Sequence, residues 1–495
     1  MRIKLILLLL FPLSYAQAES TQNMWHSTQN GIRHFFDHRS TANSHIADLK
    51  QLSDFQLEST LTQTNSKNIT TTTLPEKLAL SSKNQSTRIG LIEAIHHALQ
   101  QRPEISRQIA RVAGQSANID VAKSQYFPQI SGGIATADLS SKDRGQQVLQ
   151  LSATQMLYDF GKVKSSVNIE QNKLLQEQAQ VLVSMDDIAF QVADAIVNIQ
   201  RYQEISHIAE QQLKGIQRIA EIANLRAQAG ISSQADPIQA QSNIEAAQSN
   251  KIVQETQLRQ YQQKLRTLLG YDTRQIIWEL PNRVIQDAGL YQEPEFNQIP
   301  QMMVAQMAVN IAKAQKQQKQ LSRYPTLHLK GNLSQALNGR NPNNNKEDGF
   351  DSAIMLEATS QLYQGGAISA QNRAASYAES AAKADMQSIY LEVLEQVRLI
   401  REEIENKQRQ MQVLSTRRAT TIRTRELYQE QYKLGTRTVV DLLNAEQSIH
   451  SAAQEIAAAR HDIYSALIRH IHVTGRSRDI YQFNHLNIQG FEVQP

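Results

Sequence analysis

Two runs of apolar residues constrain this chain more than anything else in it. Val181, Met185, Ile188, Val192, Ala195 and Ile199 step by 4, 3, 4, 3 and 4. Met386, Tyr390, Val393, Val397, Ile400 and Ile404 repeat those steps, each 205 positions later. Alternating steps of three and four put every one of these residues on one stripe of a helix, the heptad seam of a coiled coil. The first helix runs from Lys162 to Ala229 with no proline and with Gly215 as its one internal breaker. At 1.5 Å per residue it is expected to be about 100 Å long.

The duplication extends beyond the seams. Pro103 stands 25 positions before Pro128, and Pro300 stands 25 before Pro325. Gly161 precedes Gly230 by 69 positions, and Gly366 precedes Gly435 by 69. From each second glycine an Asp follows at +6 (Asp236, Asp441) and an Ala at +10. Matching spacings at several anchors mark an internal repeat. The first repeat covers 91–280 and the second 293–475, leaving residues 476–495 as a C-terminal tail.

Within each repeat the period changes. Leu149, Leu151 and Ala153 alternate with Gln150, Ser152 and Thr154. Leu327, Leu329 and Leu333 alternate with His328, Lys330 and Asn332, and Ile354, Leu356 and Ala358 with Met355, Glu357 and Thr359. A period of two with one apolar face predicts strands over about 127–158 and 324–362. Turn-rich Ser140–Gly145 and Asn338–Asn345 make each pair a β-hairpin. After it, Gly161 and Gly366 open the long helices. Gly230 and Gly435 end them, since glycine tolerates the left-handed cap. Ser232, Ser233, Thr436 and Thr438 supply turn hydroxyls, and Asp236 and Asp441 are expected to start the returning helices, with Pro237 at a first helical position. The stretches 230–236 and 435–441 are therefore helix-hairpin tips.

The start of the chain reads as a secretory signal over 1–18. Arg2 and Lys4 precede an apolar run from Leu5 to Phe11, and Ala16-Gln17-Ala18 offers a small-residue exit. Residues 19–88 are polar and read as a largely disordered extension. It contains His34 and His38 at helical metal spacing, a pair without a third ligand, so no metal site is assigned. There are no cysteines, which excludes disulfides and thiol catalysis. No later apolar run reaches the ~20 residues of a membrane helix, so a membrane crossing would have to use β-strands. A net charge of +4 gives no footprint for nucleic acid. Neither an HExxH, a Gly-x-Ser-x-Gly nor a phosphate-cradling loop is present, and no enzyme or cofactor is expected.

Four one-sided strands cannot stand in a bilayer with open edges. Three chains pooling them would close a barrel of twelve. The doubled repeat, Arg102-Pro103-Glu104-Ile105, Leu157-Tyr158-Asp159-Phe160-Gly161-Lys162 and both tips resemble the TolC family of outer-membrane channel-tunnels over residues 91–475. The second tip, Tyr432 to Asp441, is an especially close match. The resemblance implies a mixed, mainly α fold with long coiled-coil helical hairpins in two tandem repeats, each with an inserted β-hairpin. It implies a homotrimer with a 12-stranded β-barrel in outer-membrane lipid and an α-helical tunnel in the periplasm. Such a duct serves type I protein secretion or multidrug efflux, and it is opened by a periplasmic adaptor and an inner-membrane ABC or proton-driven transporter.

Carried over by position, Tyr432 and Arg437 resemble residues that clamp the entrance shut, with Asp236 as their partner on the first tip. Asp441 resembles the carboxylate ring at the tightest point, and Asn444 stands where the family's namesake has a second acid. Ala235 replaces a hydroxyl beside Asp236. Gly230, Ile231, Gly435 and Thr436 resemble the segments on which adaptors dock. A periplasmic coiled-coil adaptor or scaffold without a pore is the competing reading; it accounts for the helices and the signal but not for the apolar strand faces.

Overall fold

The computed structural model describes residues 88–137, 146–279, 284, 286–341, 343–361 and 363–493. The signal segment, most of the polar extension with His34 and His38, and the Ser140–Gly145 turn lie outside them. In chain order the elements are β1 (Arg88–Gly90), α1 (Leu91–Gln101), α2 (Pro103–Ser124), β2 (Gln129–Ala137), β3 (Gln146–Tyr158), α3 (Lys162–Gln228), α4 (Ala235–Leu269) and β4 (Ile277–Glu279). Then follow α5 (Pro300–Leu321), β5 (Thr326–Asn338), β6 (Phe350–Thr359), α6 (Ala367–Lys433), α7 (Val439–Val473), α8 (Ser477–Ile480), β7 (Asn487–Ile488) and β8 (Phe491–Glu492). The chain is mainly helical.

Helices α3 and α6 are each 67 residues long, and α4 and α7 each 35. Gly161 and Gly366 precede the long helices with φ of 90° and 85°, a conformation that costs a side-chain-bearing residue but not glycine. At the first junction Asp159 adds a cap, accepting from the N–H groups of Gly161 (2.9 Å) and Val163 (2.5 Å). Helix α3 packs against α2, α4, α5 and α7, while α6 packs against α5 and α7. All six seam residues of α3 are buried. On α6, Val393, Val397, Ile400 and Ile404 are buried, while Met386 and Tyr390 are half-buried.

One four-stranded antiparallel sheet has the order β2-β3-β5-β6. Residues opposite one another share a face. One face carries Ile134 beside Leu149, Leu151 beside Leu333, and Leu329 beside Leu356. The other carries Ser131, Ser152 and Asn332 in one row and Thr154 and Lys330 in another. Apolar residues of the first face are bare: Ile354 is 79% exposed and Leu356 65%. Strands β2 and β6 are the outer edges of the sheet.

The largest core lies midway along the helices, where α1, the middle of α3, the end of α4 and the end of α7 meet. Two features there were not expected. Strand β1 pairs in parallel with β4, Ile89 opposite Trp278. And residues 476–493 are not a loose tail: Tyr481, Phe483, Ile488 and Val493 are buried in that core. Gln489 joins them to the α1–α2 break by donating to the carbonyls of Leu99, Gln100 and Arg102 at 3.0–3.1 Å.

Candidate functional site

Both tips are built by the same backbone device. Gly230 and Gly435 take φ of 72° and 78°. The following N–H reaches back to a carbonyl five residues earlier, Ile231 to Arg226 at 2.9 Å and Thr436 to Gln431 at 3.0 Å. This closes the last turn in the Schellman manner. A Cβ at Gly230 would meet nothing within 4 Å, so the backbone angle rather than crowding requires glycine there.

The returning helices start differently from the sequence expectation. Gln234, not Asp236, holds the N-cap of α4, and Pro237 is its third residue rather than its first. Ser233 Oγ accepts from the N–H of Ala235 at 3.1 Å. At α7 the cap is Thr438, in a reciprocal box with Asp441. The Asp441 carboxylate accepts from the Thr438 N–H at 3.3 Å and from its hydroxyl at 3.0 Å. The Thr438 hydroxyl takes the capping role, which leaves the acid to complete the box from the third helical position. Both aspartates still lie in a first turn, where the helix dipole favours negative charge.

Tyr432 is only 4% exposed and packs with Ile216, Ala223, Ala240, Val439 and Leu442. Its hydroxyl has no hydrogen-bond partner among the described residues. Burial, and then the nearby charge of Asp236, raise its pKa, so it stays a donor. The Arg226 guanidinium lies over the Tyr432 ring, 4.7 Å from its centre, and donates to Lys433 O at 3.3 Å. Arg437 lies over Tyr428 at 4.6 Å, donates to Gln431 Oε1 at 3.0 Å and stands 3.8 Å from Asp441 Oδ2. Among the described residues no hydrogen bond or ion pair joins Arg437 to Asp236. Within one chain, then, Asp236 reaches Tyr432 only through its charge, while Arg437 turns to its own tip. Asp441 is half-buried and Asn444 exposed three residues on, on the same side of α7. Gly230, Ile231, Gly435 and Thr436 are exposed. Arg226 escaped the sequence reading; its one signal was a lone cation four residues before a tip glycine.

At the far end of the helices, aromatic side chains gather where the sheet begins. Tyr158 meets Phe160 edge-on at 4.8 Å, and Phe160 stacks on Tyr324 at 5.3 Å. Lys162 Nζ, at the start of α3, donates to Tyr324 O and Thr326 Oγ1 at 2.6 and 2.8 Å. Among the described residues no helix is long and apolar enough to cross a membrane.

An apolar-faced open sheet carried on paired helical hairpins, with glycine-capped tips at the opposite end of those helices, defines a class of helical-hairpin protein with a one-sided sheet. The model of the outer membrane efflux protein family matches residues 94–271 and 296–476, and the chain belongs to that family. It is 20% identical to outer membrane protein TolC of Vibrio cholerae, over 77% of this chain and 89% of that one. It is also 20% identical to the alkaline protease secretion protein AprF of Pseudomonas aeruginosa, over 77% and 83%. Among solved structures, the outer membrane protein VceC of Vibrio cholerae superposes with a TM-score of 0.67 at 17% identity, covering 78% of this chain and 96% of that one.

Proposed function

We propose that three copies of this chain form a channel-tunnel, a 12-stranded barrel in the outer membrane continuous with an α-helical tunnel in the periplasm. The observation that carries this is the sheet. Among the described residues its edge strands β2 and β6 have no second partner strand, and its bare face is apolar. Unpaired backbone groups in lipid cost several kcal/mol each, so such a sheet must close by joining copies of itself. Apolar residues then face lipid and the Ser–Asn–Lys rows face the lumen. The aromatic group at Tyr158, Phe160 and Tyr324 suits the membrane interface. The chain is an outer-membrane protein, as its relatives are.

On this reading the tips are the periplasmic entrance. Tyr432, Arg437 and Asp236 hold it closed, and Asp441 with Asn444 lines its narrowest ring. Gly230, Ile231, Gly435 and Thr436 receive a periplasmic adaptor, which couples the duct to an inner-membrane transporter. Among the described residues the buried Tyr432 hydroxyl has no partner and feels the charge of Asp236, which supports a closing bond there. The assignment of 1–18 to a signal, 19–88 to an extension, and 91–280 and 293–475 to two repeats belongs to the same proposal.

Cargo follows from the second tip and from AprF, a secretion protein; both favour export of large proteins by type I secretion. Drug efflux is the second reading, favoured by the family description. Purified protein in planar bilayers is expected to conduct ions as a trimer. A monomeric, lipid-indifferent protein without conductance would sink the proposal. A deletion strain scored for both secreted proteins and drug sensitivity separates the two cargos.

A further inference from the structure

Gly215 is the one glycine inside the 67 residues of α3. In a helix interior it costs about 0.5–1 kcal/mol relative to alanine. Its φ is not positive, so the backbone does not demand it. Space does. A Cβ at position 215 would lie 1.9 Å from Oε1 of Glu446, 2.8 Å from its Cδ and 3.2 Å from its Cγ. The end of the Glu446 side chain rests on the bare backbone of α3.

Glu446 belongs to α7 and is 5% exposed. Leu442, Leu443 and Ile449 around it on that helix are buried and apolar. A carboxylate in such a seam costs several kcal/mol unless it is paired. Arg425 of α6 supplies one partner at 3.3 Å, and His450 of α7 another at 3.1 Å. Burial pushes the carboxyl pKa up, but the hydrogen bond and charge of His450, then those of Arg425, outweigh it and hold the group ionised. All three side chains belong to the α6–α7 hairpin, and α3 contributes a notch. At ~1.5 Å per residue, Gly215 and Glu446 lie roughly 10–20 Å from the ends of their helices at the tips.

We propose that Glu446 is a positioning residue of the gate: seated in the Gly215 notch, it keeps the α6–α7 hairpin in register with α3 while the tips are closed. This rests on the reading of the tips as a gate. Outward movement of the hairpin requires the carboxylate to leave the notch, so the seated state is the closed state.

Conductance of purified channels in planar bilayers tests this, with Arg437→Ser as the reference for an unclamped tip. Gly215→Ala puts a methyl group where the carboxylate sits, and Glu446→Ala empties the notch. Each is expected to raise conductance severalfold. The double variant refills the notch with a methyl group and is expected to return toward wild type, a compensation that general damage to the fold does not produce. Should Gly215→Ala fail to fold, Glu446→Ala and the double variant decide. If Arg437→Ser opens the channel while both single variants conduct like wild type, the notch is overturned and the gate stands. If Arg437→Ser is silent too, the gate fails and takes the notch with it. Additive opening in the double variant also overturns it.

Discussion

The guanidinium of Arg226, near the end of the first long helix, lies 4.7 Å from the ring centre of Tyr432, near the end of the second. It ties the two tips of one chain across a buried aromatic face. Partly desolvated stacking of this kind is worth about 0.5–2 kcal/mol. Arg226→Ala is expected to raise resting conductance, and Arg226→Lys to do so less, because an ammonium keeps the charge but not the planar stack. Wild-type conductance in both variants would reduce the stack to a surface contact.

Arg437 holds Gln431 and Asp441 of its own tip, whereas the closing bond proposed for it reaches Asp236. A double-mutant cycle distinguishes the two. Arg437→Ser and Asp236→Asn are each expected to open the channel, and together to open it no further than one alone, if the bond crosses between copies. Should Arg437 instead couple to Asp441→Asn and add independently to Asp236→Asn, its partner is the local carboxylate.

Ile354 stands on the bare face of the sheet opposite Gly331, and Asn332 stands one residue along on the other face. On the barrel reading, Ile354→Arg places a charge against lipid at a cost of about 2–4 kcal/mol near the midplane. It is expected to deplete assembled channel from the outer membrane. Asn332→Arg is expected to assemble normally and shift ion selectivity toward anions. The reverse pattern would exchange the lumen and lipid faces.

Asp186 and His470 give opposite pH responses in the central core. Burial raises the Asp186 carboxyl to about 8 against the pull of Arg478. Burial lowers His470 to about 4. As pH falls from 8 to 6.5, folded Asp186 takes up a proton that the unfolded chain does not, so stability rises. Below 6.5 the unfolded histidine binds a proton that the folded one refuses until about pH 4, so its contribution falls. Asp186 goes on gaining over that same range, so the two slopes offset: thermal melts are expected to rise from pH 8 to 6.5 and to level off below it, and Asp186→Asn to flatten the limb between 6.5 and 8. A limb unchanged in the variant assigns that slope to other groups.

The sequence by itself determined the long helices, their glycine ends and the two faces of the strands. A heptad seam, a left-handed cap and a period of two are local properties, written within a few residues of where they act. Even there the exact N-caps were not legible: they are Gln234, whose side chain makes no cap bond, and Thr438, rather than the aspartates. Tertiary structure alone decided the rest. Ile89 lies beside Trp278, Gln489 closes the end of α1, Arg226 covers Tyr432, and Gly215 makes room for Glu446. Each of these joins residues far apart in the chain. No periodicity announces them, because their energies depend on which surfaces the folded helices bring together.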